Sequence, residues 1–261
     1  MKPVFAHIKN TTNLGDLNCS PQQYFPQFKD CQRIDVMEVD NLPRGQAVIV
    51  GGGGLFMLHT QHHFARWSEA RPVIVWGAGL NYPSNASYEY ELVKSLRQCA
   101  IVGIRNHAFA IKHNFDYVPC ASCLHPAFDP VPGEQRGHKV LFYEHHDRRF
   151  ARPNWPWKAH NMEPDLDVVL DKFRKSEYVI TNSFHGAYWG LCMQRRTMLW
   201  KPEEFGNRCD HLTVPPRVAS FEEVMAHINT EVPRPGNFYR NLCRTQNKKF
   251  CRKVEQYLAL L

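Results

Sequence analysis

The residues best suited to chemistry in this 261-residue chain form one short run, Asn182-Ser183-Phe184-His185-Gly186. It lies between an apolar stretch that reads as a strand, Tyr178 to Thr181, and a segment from Gly186 to Gln194 that reads as a helix. Hydroxyls and backbone amides at a helix start can bind phosphate, and an imidazole there can move protons near neutral pH. A lone histidine is more often structural. Its strand-end position and small polar neighbours make His185 the candidate general acid/base, with Asn182, Ser183 and Gly186 as binding groups.

Other strand ends carry further candidates. Gly51, Gly52, Gly53 and Gly54 follow the buried strand Ala47 to Val50. Four glycines exceed what a tight turn needs, and their amides could approach an anion or substrate. The run matches neither a Walker loop nor the dinucleotide fingerprint, so a nucleotide is not implied. Asn13-Leu14-Gly15-Asp16 follows the opening strand Val4 to Ile8, where Asp16 could bind sugar hydroxyls, orient a nucleophile or cap a helix. Arg105 ends the strand Ala100 to Ile104, where a guanidinium could hold a carboxylate or phosphate, or form a surface ion pair. Lys201, after the strand Thr197 to Trp200, is a second candidate cation.

Weaker patterns surround these. Cys120-Ala121-Ser122-Cys123 is a single C-x-x-C without a second pair, poor grounds for zinc or redox use. His59, His62 and His63 lack metal-site spacing and read as a solvated or substrate-facing stretch. No metal and no tightly bound cofactor is expected. The nine cysteines are odd in number and irregularly spaced, and no secretory apolar core follows Met1, so reduced thiols in a cytoplasm are the simplest reading. A net charge of +7 suits an anionic substrate or membrane surface. The basic residues are scattered and lack an RNP-like or zinc-finger pattern, so nucleic acid is not an expected partner. The longest apolar stretch, Val48 to Leu58, contains four glycines and is too short to cross a bilayer.

These residues must be positioned by alternating strands and helices. Helices are expected at 89–98, 166–175, 186–194 and 221–228, and strands at 73–76, 117–118 and 139–143 besides those above. Continuous apolar strands interleaved with helices predict an α/β protein whose parallel sheets are covered on both faces. The stretch Pro126 to Gly137 reads as a linker. The expectation is two Rossmann-like domains facing each other across a cleft, residues 1–130 and 131–261. The second would end in a basic amphipathic helix over Gly236 to Leu261, packed back on the protein in preference to a membrane surface.

Taken in order, Asn13-Leu-Gly-Asp16, Val50 with Gly51 to Gly54-Leu55-Phe56, Arg105-Asn106 and Asn182-Ser-Phe-His185-Gly186 resemble the polysaccharide pyruvyl transferase family. The resemblance spans most of residues 1–205. It implies a GT-B-like pair of domains, phosphoenolpyruvate as co-substrate, and a glycan acceptor, often lipid-linked, in bacterial exopolysaccharide synthesis. Enzyme action would then occur in the cytoplasm, with peripheral contact at the inner membrane face. The family carries an arginine where this chain has Ser183, which shifts anion binding toward Arg105 or Lys201. Two other readings remain open: a nucleotide-sugar glycosyltransferase of GT-B type, and a non-catalytic glycan-binding component.

Overall fold

Among the described residues, eleven strands pair in parallel throughout and form two sheets of six and five strands. The structure is a computed structural model and describes residues 2–57, 62–80, 86–129, 138–146, 155–200, 217–230 and 236–261. The chain is an α/β protein dividing into two compact units. The first gathers Met1–Thr11, Gly15–Ser122 and Cys243–Leu261, and the second Thr12–Leu14 and Cys123–Leu242.

In the first unit the strands are β1 Val4–His7, β2 Arg33–Asp35, β3 Val48–Gly51, β4 Val73–Ala78, β5 Ile101–Ile104 and β6 Asp116–Tyr117, in the order β2-β1-β3-β4-β5-β6. This is the flavodoxin-like doubly wound order, and strand succession reverses between β1 and β3. Alternation sends Val4, Ala6, Val48, Val50, Val73, Val75, Val102 and Ile104 to one face. There they meet Phe64 and Trp67 of α2 His63–Ala70, Leu92 and Leu96 of α3 Ala86–Leu96, and Phe109 and Ala110 of α4 His107–His113.

The opposite face carries Phe5 and Trp76, covered by Phe25 and Phe28 of the β1–β2 connection and by Phe250. That last contact corrects the expected division. The basic C-terminal helix, Phe238–Leu258, does not close the second domain; from Cys243 onward it clusters with the first unit. Its apolar stripe, Cys243, Phe250, Cys251 and Val254, is buried. The Trp76 indole N–H donates to Asn247 Oδ1 at 3.0 Å, and Asn247 Nδ2 donates to the Pro119 carbonyl at 3.0 Å. Lys253 pairs with Asp116.

The second unit repeats the strand order without a legible sequence repeat. Its strands are β7 His138–Glu144, β8 Lys158–His160, β9 Ser176–Thr181, β10 Arg196–Trp200 and β11 Arg217–Val218, ordered β8-β7-β9-β10-β11. Succession reverses between β7 and β9. Val140, Phe142, Tyr178, Ile180, Met198 and Trp200 pack with Val224 and Ile228 of α7 Phe221–Asn229. On the other face Tyr143 meets Phe173 of α5 Leu166–Arg174 and Trp189 of α6 Phe184–Cys192. The expected linker is not one where it is described. Pro126–Phe128 is a 3₁₀ turn with Phe128 buried, and its carbonyls accept from Arg174 and Arg240.

The helix Phe238–Leu258 is fastened to β4 through one carboxamide. Replacing Asn247→Ala leaves the buried Trp76 N–H and the Pro119 carbonyl unpaired, which should lower unfolding free energy by about 3 kcal/mol. Urea denaturation of the two proteins measures it; a loss within about 0.5 kcal/mol would show that the bond contributes little.

Candidate functional site

All strands of a parallel sheet end at one edge, and ligands of doubly wound sheets bind beyond that edge where strand succession reverses. In the first unit the reversal separates the ends of β1 and β3, so it is flanked by His7 and by Gly51. The last registered pair is Ala6 with Val50, which sets His7 and Gly51 side by side.

The glycine run is shaped by its neighbours. A methyl group on Gly51 would fall 2.4 Å from the Trp76 carbonyl oxygen, and one on Gly52 2.3 Å from the Cys19 carbonyl oxygen. Gly52 and Gly53 have φ of 78° and 76°, a left-handed conformation that disfavours other residues. Asp16 lies in the short helical turn α1 Leu14–Leu17, and its Oδ1 comes within 3.0 Å of where a Gly53 Cβ would be. Asp16 and the glycine run therefore meet. Arg105, only 3% exposed, lies across Gly79, whose added methyl would sit 2.4 Å from its Nε. It is thus a buried cation rather than a surface one. The neighbouring Asn106 accepts the Leu80 N–H through Oδ1 at 2.9 Å.

Two thiols sit in the same neighbourhood. Burial pushes the Cys19 thiol well up, and the Cys120 thiol up, while the Arg105 charge pulls both down. Burial wins in each, so both are neutral thiols with little nucleophilic character. Cys120 and Cys123 of the C-x-x-C are buried, and Cys120 exchanges a 3.2 Å hydrogen bond with Ser122. Among the described residues no group of three or more His, Cys, Asp or Glu gathers as metal ligands. His63 opens α2 and packs on Trp67, while His59 lies outside the described residues.

In the second unit the reversal separates the ends of β7 and β9. Asn182, Ser183 and His185 all follow β9 directly, with Ser183 at the N-cap of α6. Ser183 makes no capping bond through its side chain; its N–H donates to Thr181 Oγ1 at 3.0 Å. Asn182 Oδ1 accepts the His145 N–H at 2.7 Å, tying the end of β9 to the end of β7. On the other flank Asn161, after β8, accepts the His146 N–H at 2.8 Å. Two carboxamides thus hold the backbone leaving β7. The Asn13-Leu14 segment joins this unit, the Leu14 N–H donating to the Asn161 carbonyl at 2.7 Å.

His185 stands in the first turn of α6, 6% exposed, with Phe184 at 5.1 Å and Trp189 at 5.3 Å between ring centroids. Gly186 faces inward: an added methyl would lie 2.2 Å from Thr181 Oγ1 and 2.5 Å from Tyr143. Its lack of a side chain lets α6 lie against β7 and β9, the packing duty of a glycine at a strand–helix turn. Lys201 lies outside the described residues.

Sequence reasoning missed His7, Asp35 and Asn161. His7 was legible as a strand-end residue, but it reads as interior if the strand is taken to Ile8. Asp35 ends β2 and fixes the loop after β1, its carboxylate accepting from the backbone of Lys9, Asn10 and Met37. Burial disfavours that charge, yet these three N–H groups outweigh it and hold the carboxyl below its usual range.

The His7 imidazole has the opposite balance. Burial, then the Arg33 charge, lowers its affinity for a proton. Below the unfolded value of 6.5 the unfolded chain binds a proton that the folded chain refuses, so stability falls as pH drops through that point. Urea midpoints at neutral pH and at about pH 5 should separate more for the wild type than for His7→Asn. Equal separations would remove His7 as the source.

No family model matches the chain, and no curated protein matches it. A solved structure of an uncharacterized protein from Klebsiella pneumoniae subsp. pneumoniae is similar at a TM-score of 0.49 and 13% sequence identity, covering 84% of this chain and 94% of that one.

Proposed function

We propose that this chain is a ketal-pyruvyl transferase, moving pyruvate from phosphoenolpyruvate onto two hydroxyls of a glycan, lipid-linked in exopolysaccharide synthesis, at the cytoplasmic membrane face. The two units would be the paired domains of a GT-B-like enzyme. One observation carries the reading: the segments resembling the family all lie at or just beyond the carboxyl ends of strands, and two flank the reversals of strand order.

The chemistry matches the residue types. Phosphoenolpyruvate carries a carboxylate and a phosphate, which call for cations and oriented amides. The first turn of α6 supplies amides and the positive end of a helix dipole. Protonation of the enol carbon C3 leaves C2 cation-like, and His185 is the proton donor. One sugar hydroxyl adds at C2, phosphate departs, and the second hydroxyl closes the ring. Asn182 and Ser183 would hold the donor beside His185. Arg105 would meet donor anions, and Asp16, Asn13 and the Gly51 to Gly54 amides the remaining polar groups of the substrates.

Thermal shift separates the readings. Phosphoenolpyruvate at a hundred times its Kd should stabilise by about 2.7 kcal/mol, and nucleotide sugars should not. His185→Ala should keep the fold and lose about 10²–10⁴-fold in phosphate release with acceptor present. Stabilisation by a UDP- or GDP-sugar alone would favour the glycosyltransferase. Sugar binding without turnover under any donor would leave a binding module.

A further inference from the structure

His7 closes β1 with 1% of its surface exposed, and its Nδ1 stands 3.3 Å from the Asp16 carbonyl oxygen. A carbonyl oxygen only accepts, so Nδ1 carries the ring hydrogen and Nε2 carries a lone pair. Nε2 is buried and has no hydrogen-bond partner among the described residues. Buried acceptors are nearly always matched by a donor, so a water or a ligand group must supply one.

The surroundings decide what that donor is. Lys9 and Arg33 oppose a positive charge on the ring, Asp35 favours one, and burial opposes it most, so the free ring is neutral. A carboxylate or phosphate oxygen would set lone pair against lone pair. A hydroxyl fits, since it offers a hydrogen to the lone pair and brings no charge into the buried site. The adjoining position is Gly51, without a side chain, followed by Gly52 and Gly53 in left-handed conformation.

We infer that the β1/β3 edge of the first unit binds a glycan hydroxyl, with His7 Nε2 as the atom that receives its proton. The class of ligand rests on the pyruvyl-transfer reading; the acceptor character of the atom does not. In the addition step the hydroxyl O–H bond breaks and its proton passes to Nε2, leaving an imidazolium. The oxygen forms the bond to C2 of phosphoenolpyruvate as the C2=C3 electron pair takes a proton at C3, so the net change is addition of O–H across the double bond. No oxidant or reductant is involved. Asp16 then has a positioning role through its carbonyl, fixing the tautomer of the base.

Protein labelled with ¹⁵N in its histidines tests this by NMR, with the methyl glycosides of galactose, glucose and mannose as probes. Nε2 of His7 should be unprotonated in the free protein and should shift with at least one glycoside. His7→Asn keeps an N–H toward the Asp16 carbonyl but has no atom at Nε2, so it should fold, by circular dichroism, and bind that glycoside about tenfold more weakly. A hydrogen on Nε2, no shift with any of the three, or wild-type binding by His7→Asn would overturn the assignment. Failure of the pyruvyl-transfer reading shows up separately, as glycoside shifts that persist where phosphoenolpyruvate gives no thermal stabilisation.

Discussion

Parallel pairing is the constraint on which the rest of this structure depends. A strand that must lie parallel to its predecessor needs a crossover over the sheet, and the crossover brings every strand to the same edge. Among the described residues, the candidates for chemistry sit at strand ends or in the turns and first helical turns that follow them, where the chain must turn polar backbone out of the sheet. Both units wind their strands in the order 2-1-3-4-5, so each presents two neighbouring strand ends whose connections depart in opposite directions. In doubly wound sheets such departures are where ligands bind.

Glycine has two duties at these edges. Gly51 and Gly52 admit the Trp76 and Cys19 carbonyls, Gly79 admits Arg105, and Gly186 admits Thr181 and Tyr143. Each contact would be lost to a single methyl group, at a cost typical of overpacking, about 1–3 kcal/mol. Packing alone thus accounts for the lack of a side chain at these positions. At Gly53 both demands coincide: the Asp16 carboxylate oxygen lies 3.0 Å from an added Cβ, closer than ordinary contact, and the backbone is left-handed. Backbone conformation and close approach both demand glycine, so a run of four signals crowding as strongly as it signals a ligand.

That ambiguity sets how much was legible. The apolar runs at Val48, Val73, Ile101 and Tyr178 announced central strands of parallel sheets because both their faces are buried. Of the four edge strands only Asp116–Tyr117 announced itself. Arg33–Asp35, Lys158–His160 and Arg217–Val218 are two or three residues long and carry charge, as edges tend to. Helix His107–His113 hid because its apolar face is only Phe109 and Ala110. The closing helix was read correctly as amphipathic and packed, but its partner was not, because Trp76 meets Asn247 across 171 positions of sequence. Candidate residues could be named where strand ends were obvious. Arg105 was left between an anion contact and a surface ion pair, since sequence shows no sign that Gly79 makes room for a buried guanidinium.

Ser183 gains a physical reason from its burial. It is 4% exposed at the N-cap of a helix whose residues are all buried. A guanidinium at that point would have to leave water, at several kcal/mol unless fully paired. A serine avoids the cost and leaves the first turn of α6 with the positive end of its peptide dipoles, equivalent to about half a charge. On the pyruvyl-transfer reading this makes the donor site weaker for the ground-state anion than an arginine would. It need not make it slower, because only interactions that strengthen as C2 becomes cation-like lower the barrier, and a fixed positive charge beside C2 works against that development.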